Sequence, residues 1–249
     1  MVLRTFTCAT LVVVLAQTIS AQSDHLRQRA TPPYEEGLDL MRQEAFDAAA
    51  KSFEAAVAID DSFDMAYYML GRAHMARKQY AAAVYALVKC RNIHQADATR
   101  AFANMQESER RRRERVQDLD RLISGLQVIR PQTQRIQEQI RQLEERKRQI
   151  QDLDRNRGLD STRAVPGFVS LSLGSAYFRS GDLAQAERAY LAAISADPKI
   201  GEAHNNLAVV YLETGRYQEA ARAVGAAEKA GVRVDPHLKA QIQAKIKTD

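Results

Sequence analysis

The stretch Gly167–Ile200 reads GFVSLSLGSAYFRSGDLAQAERAYLAAISADPKI, and its spacing of small and large residues returns in the next 34 residues. Small residues stand where two short antiparallel helices must approach closely, and large residues stand where the space between turns must be filled. This spacing predicts a helix-turn-helix repeat unit that occurs twice, over 167–234. The positions that carry the pattern in the first copy are Leu173, Gly174, Tyr177, Ala186, Tyr190 and Pro198.

A weaker pair of units precedes this stretch. Gly37 and Gly71 lie 34 residues apart, and so do Phe53 and Leu87. Equal spacing at two independent positions predicts two further repeat units within residues 33–97.

These positions resemble the tetratricopeptide repeat, whose pattern is W-x2-L-G-x2-Y, A-x3-F and P, with Ser170 at the usual aromatic position. The resemblance implies an all-α fold of stacked helix pairs. It also implies a concave groove, lined by the first helix of each repeat, that accepts an extended peptide or a partner helix. Carried over position by position, the groove residues are Tyr68, Arg72, Met75, Phe168, Ser175, Arg179, Asn205, Val209 and Leu212.

Some members of that family clamp a C-terminal carboxylate with a set of Lys and Asn residues. Tyr68 and Leu171 stand where the first Lys of that set would be, and only Asn205 and Asn206 match its Asn residues. That mode of recognition is therefore not predicted here.

An insertion at residues 98–157 separates the two repeat pairs. Its apolar residues alternate steps of three and four, which is typical of the seam of a coiled coil. The predicted seam residues are Leu119, Leu122, Leu126, Ile129, Ile136, Ile140, Leu143 and Ile150.

Two shapes fit this heptad pattern. A hairpin would end its first helix at Ser124, turn at Gly125 to Gln132 and return from about Thr133; this is the shape we predict. One helix kinked at Pro131 is the alternative, disfavoured because a proline in a helix interior costs about 3 kcal/mol. The hairpin would set Leu119 near Ile140, and Arg112 and Arg113 opposite Glu145 and Glu144.

The insertion also carries the excess of positive charge. Residues 97–165 hold 16 basic and 12 acidic side chains, and the densest basic run is Arg110–Arg113 followed by Arg115. Helical spacing favours internal ion pairs: Glu107 with Arg111, Glu109 with Arg113 and Arg110 with Glu114. Contact with an anionic envelope surface is the alternative, and no nucleic-acid partner is expected because no aromatic residues alternate with these arginines.

The N-terminus predicts export. Residues 1–21 contain Arg4, an apolar run over 9–16 and Ala21 at a small-residue junction, as in a secretory signal peptide. The expected location is periplasmic or secreted. The other predicted segments are a flexible lead at 22–32, a linker at 158–166 and a capping helix at 235–249.

The sequence favours a binding protein over an enzyme. No paired-Cys or H-E-x-x-H motif predicts a metal, and no glycine-rich phosphate loop predicts a cofactor. No catalytic residue, metal ligand or cofactor is therefore expected. The function we expect is an exported scaffold that binds a protein partner in the groove, with the coiled coil as a spacing or assembly element. The alternative is a structural spacer that forms homo-oligomers through the coiled coil.

Overall fold

A computed structural model describes residues 6–128, 130, 131, 133–155 and 165–248, and all regular structure in those residues is α-helix. This confirms the predicted all-α fold. The helices are α1 (Phe6–Arg42), α2 (Phe46–Ile59), α3 (Asp64–Ala76), α4 (Tyr80–Gln127), α5 (Gln134–Arg155), α6 (Gly167–Ser180), α7 (Leu183–Ala196), α8 (Gly201–Glu213), α9 (Tyr217–Lys229) and α10 (Pro236–Thr248).

The chain divides into two units. The repeat stack is formed by Met1–His94 together with Val165–Asp249, and the helical arm is formed by Gln95–Ala164. Both predicted repeat pairs therefore belong to one unit, although the arm separates them in sequence.

Close helix approach within the first three repeats occurs at the predicted glycines Gly37, Gly71 and Gly174. A Cβ atom added to Gly37 would lie 2.5 Å from the Phe53 ring, and one added to Gly174 would lie 2.6 Å from the Tyr190 ring. Because real Cβ atoms do not approach other atoms so closely, any larger side chain would force the paired helices apart.

A continuous core joins the two repeat pairs. Leu87 of α4 packs in one buried cluster with Leu173 and Ala176 of α6. Cys90 of α4 and Val169 of α6, neither of them accessible to solvent, share a second cluster. The stack therefore continues from α4 directly to α6.

Residues 24–32 are part of α1, which corrects the expectation of a flexible lead. Ala30 is fully buried beside Phe63. Arg27 lies over the Phe63 ring at 4.0 Å, and its Nε donates a hydrogen bond to Asp60 at 2.5 Å. The helix α1 continues through Pro32 and Pro33, and these contacts fix the turns before the prolines against the turn between α2 and α3.

The far end of the stack is covered by α10. Ile242 is buried against α9, and Leu238 and Ile246 pack against the same cluster. In the part of the chain that the structure describes, no helix combines the length and apolar character that crossing a membrane requires.

The arm contains the end of α4 and all of α5, separated by residues 128–133. Lys147 of α5 donates a hydrogen bond to Asp120 of α4 at 2.6 Å, so the second helix folds back on the first. The first helix continues past Ser124 and through Gly125 to Gln127, further than predicted.

The buried face of α4 in the arm differs from the predicted seam at one position. Leu119 and Ile123 are buried, whereas Leu122 is 56% exposed. A step of four and not three follows Leu119, so Ile123 replaces Leu122 on the buried face. The α5 seam residues Ile136, Ile140, Leu143 and Ile150 are half-buried, as is Leu126, and Ile129 lies outside the described residues.

Charges of the basic run pair within their own helix. Arg111 contacts Glu107 at 2.8 Å and Arg113 contacts Glu109 at 3.3 Å. Arg113 is thus paired within its own helix. Because these groups are exposed, each pair stabilises the helix only slightly. The placement of Arg112 and Arg113 opposite Glu145 and Glu144 stays a prediction.

Candidate functional site

The first helices of repeats two, three and four are α3, α6 and α8, and the predicted groove residues of α3 and of α6 lie on one face of each helix. On α3 these are Tyr68, Arg72 and Met75, spaced four and three apart, which is one helix face. On α6, Phe168, Ser175 and Arg179 are spaced seven and four apart, which also places them on one helix face.

An aromatic wall joins α3 to α6. The rings of Tyr68 and Phe168 meet edge to face, with centroids 4.9 Å apart. The Ser172 hydroxyl donates a hydrogen bond to the Tyr68 hydroxyl oxygen at 3.4 Å. Phe168 remains 41% exposed, so a large part of an ordered aromatic ring faces solvent.

The two helices run in the same direction. Tyr68, near the start of α3, contacts Phe168 near the start of α6. Met75, near the end of α3, packs against the cluster that contains Leu173 and Ala176, further along α6. Side chains one turn beyond the aromatic wall therefore lie at similar levels on both helices.

Two arginines follow the aromatic wall. The Arg72 guanidinium lies 6.0 Å from the centroid of the Tyr68 ring, and Arg179 is exposed near the end of α6. Among the described residues neither has a carboxylate within ion-pair distance, whereas Arg77 and Arg216 of the same stack pair with Asp47 and Glu187 respectively. The cationic groups on this face are therefore available to a ligand.

Ser175 connects this face to the core. The buried Tyr190 hydroxyl of α7 donates to the Ser175 Oγ at 3.3 Å. Burial raises the pKa of Tyr190, against opposing effects of Ser175, Asn206 and the charge of Arg179. Tyr190 thus stays a neutral donor at physiological pH and fixes the position of Ser175.

The C-terminal part of the face is a cleft between α8 and α10 of about 460 Å³. Asn205 and Val209, both predicted groove residues, are in its lining. Leu212 is only 9% exposed and packs in the core with Val224, so it is not a groove residue; its side chain fills the space between α8 and α9. The cleft is lined by Asn205, Val209, Val232, Arg233, Asp235, His237, Leu238 and Gln241.

Three groups on this surface were not predicted. Ser172 stands one turn after Phe168, a spacing that could have identified it. Arg233 lies near the end of the predicted fourth repeat and His237 in the first turn of α10, and neither occupies a residue position that defines the repeat pattern. Within the described residues, no three His, Cys, Asp or Glu side chains come together to hold a metal ion.

Comparison with known proteins agrees with this geometry. The tetratricopeptide-repeat family model matches residues 34–89 and 171–235. No curated protein sequence matches the chain.

Solved structures with the same fold include two of MamA. A crystal structure of MamA is 16% identical and aligns over 81% of this chain and 78% of its own, with a TM-score of 0.51. The MamA RS-1 ArsTM double mutant is 15% identical over 84% of this chain and 79% of its own, also at 0.51. At this identity the likeness extends to the fold alone.

Proposed function

We propose that this chain is a scaffold that binds a protein partner along the face formed by α3, α6 and α8. The starting point is its match to the tetratricopeptide-repeat family model over residues 34–89 and 171–235. The observation that carries the proposal is the exposed aromatic wall of Tyr68 and Phe168. It is held in place by a ring contact and a hydrogen bond, and both rings belong to one continuous stack.

An ordered aromatic ring that faces solvent is characteristic of a binding surface. Aromatic side chains contribute large contact areas at low cost in conformational entropy, and they dominate the energy of many interfaces. Arg72 and the serines beside the wall add hydrogen-bond donors for a backbone or a polar side chain. An extended segment or a partner helix fits this combination of an apolar wall and adjacent donors.

A photo-crosslinking amino acid placed at position 168 tests the proposal in cells. We expect a covalent adduct with a discrete partner at this position. The control is the same amino acid at Tyr85, which is 63% exposed on α4 and lies outside the face formed by α3, α6 and α8. Equal adducts from both positions, or none from position 168, would contradict the proposal.

We further propose that the scaffold is exported, to the periplasm or outside the cell. The support is the sequence of residues 1–21, with Arg4, the apolar run and Ala21. N-terminal sequencing of the protein recovered from the producing cell tests this, with Gln22 expected as the first residue. A protein that retains Met1 in the cytoplasm would rule out export.

The arm serves, in this proposal, as a spacing or assembly element. Its support is the contact between Asp120 and Lys147 and the burial of Leu119 and Ile123, which give a folded pair of helices. Contact with an anionic envelope surface has less support, because Glu107 and Glu109 neutralise much of the basic run.

A further inference from the structure

We propose that the partner segment recognised by this face is acidic: an extended stretch in which side-chain carboxylates flank a large apolar residue. The apolar side chain packs on the wall of Tyr68 and Phe168, and the carboxylates bind Arg72 and Arg179. This inference rests on the proposed function and specifies the chemistry of its ligand.

The first step of the argument is charge. Arg72 and Arg179 are both exposed on the first helices of neighbouring repeats in the stack, and neither is paired with a carboxylate in the described part of the chain. A guanidinium binds a carboxylate with two parallel hydrogen bonds, which gives affinity and orientation together. Two such unpaired groups on one surface favour an anionic ligand.

The second step is position. Arg72 is one turn beyond Tyr68 on α3, and Arg179 is about three turns beyond Phe168 on α6. Because the two helices run in the same direction, both arginines follow the aromatic wall along the helices, and Arg179 lies further along than Arg72. A ligand whose apolar residue contacts Phe168 therefore continues toward both charges.

The third step concerns two serine hydroxyl groups on α6. Ser172 and Ser175 are already oriented by Tyr68 and Tyr190, through hydrogen bonds of 3.4 and 3.3 Å. Hydroxyl groups held in this way can contact the backbone of an extended segment at little further entropic cost. The face thus provides an apolar surface, hydroxyl groups that can contact a peptide backbone, and two cationic side chains.

Screening an array of random ten-residue peptides against the full chain tests this inference. The peptides are acetylated and amidated, so that any carboxylate is that of a side chain. We expect the bound sequences to be enriched in Asp or Glu next to Phe, Leu, Ile or Tyr. Replacing Glu by Gln in the best binder should weaken binding about tenfold at low salt, since a charged hydrogen bond is worth more than a neutral one.

Variants of the chain identify the groups responsible. Arg72→Gln and Arg179→Gln should each raise the Kd of that peptide about tenfold, and the loss should diminish at high salt. Arg188→Gln and Arg222→Gln are the matched controls, because these exposed arginines lie on α7 and α9. They should leave the Kd unchanged.

The outcomes separate this inference from the proposed function. If binding requires Phe168 but the bound peptides are not acidic, the inference of an acidic ligand is wrong. The same holds if both groove arginine variants bind normally. In either case the proposed protein-binding face still stands. If no peptide binds, or if Phe168→Ala has no effect on binding, the inference fails together with peptide recognition on this face.

Discussion

Arg27 precedes the first repeat in sequence, and it contacts the turn between α2 and α3, where that repeat ends. Its guanidinium contacts the Asp60 carboxylate, the Ser62 carbonyl and the Phe63 ring. Asp60 is only 3% exposed, and it also accepts hydrogen bonds from the Ser62 amide and hydroxyl. A buried carboxylate of this kind is stable only while its hydrogen bonds are intact.

Replacing Arg27 by Ala should lower the free energy of unfolding by about 1 kcal/mol at pH 7, because Asp60 loses its cation and Arg27 itself is partly exposed. Burial would raise the pKa of Asp60, but the hydrogen bonds from Ser62 and Arg27 hold it below its ordinary value of 3.8. The stabilisation is therefore fully present above pH 3.8 and is lost as the pH falls through the lowered pKa of the folded state.

Denaturant unfolding from pH 7 to pH 3 measures this effect, and the difference between wild type and variant should shrink below pH 4. Arg29→Ala is the control, since Arg29 is exposed on the same helix. A constant difference across this pH range would show that Arg27 stabilises the fold without acting on Asp60.

The sequence predicts a local backbone conformation only where one residue type strongly favours that conformation. Gly181 and Gly215 lie 34 residues apart, each in the turn after the first helix of a repeat, and both have positive φ, at 86° and 75°. The equivalent turn residues of the first two repeats are Glu44 and Lys78, which adopt φ of 57° and 58°. Their identities give no sign of this conformation, because non-glycine residues enter it only when the surrounding fold requires it.

At the scale of elements, the arm shows how a heptad pattern can predict a helix and misplace its buried face. Apolar residues lie both three and four positions after Leu119, so Leu122 and Ile123 are equally good candidates for the next buried position. Only the position of the second helix decides between them, and that depends on the turn at 128–133. The buried residue proved to be Ile123.

Ile123→Ala should destabilise the arm by about 2 kcal/mol, since it removes a buried side chain. Leu122→Ala should change its stability by less than about 0.5 kcal/mol, because that side chain is mostly exposed. Hydrogen exchange of the arm amides measures both, as it reports local opening separately from the repeat stack. Larger effects at Leu122 than at Ile123 would restore the predicted seam.

For the whole molecule, the central finding is that the arm interrupts the sequence of the repeats and not their packing. Ile93 and Val165, just outside the arm, pack against the same buried cluster. The family resemblance predicted four repeats, and the spacing predicted where they fall. Whether they form one stack could not be predicted, because it depends on contacts between residues about 100 positions apart.

Replacing Gln95–Ala164 by a Gly/Ser linker of about ten residues, with a mean reach of about 15–20 Å, should leave a repeat stack that unfolds in one transition. The reason is that the clusters around Leu87 and Cys90 span both pairs. Calorimetry measures this, and two separate transitions would show that the pairs are independent modules.

Light scattering of the full chain and of the variant with the Gly/Ser linker tests the alternative in which the chain forms oligomers through the arm. An oligomeric full chain and a monomeric deletion variant would support assembly through the arm. A monomer in both cases would rule it out and leave spacing as the role of the arm.

The contact between α3 and α6 also has a kinetic consequence. Tyr68 and Ser172 are 104 residues apart in sequence, so the contact between α3 and α6 can form only when the intervening chain has closed into a loop. An unstructured loop of about 70 residues would cost about 4 kcal/mol in closure entropy. An arm that folds first, through local contacts such as Asp120 with Lys147, shortens the effective loop before the two halves meet. Mutations that weaken the arm should therefore slow refolding of the stack more than they speed its unfolding.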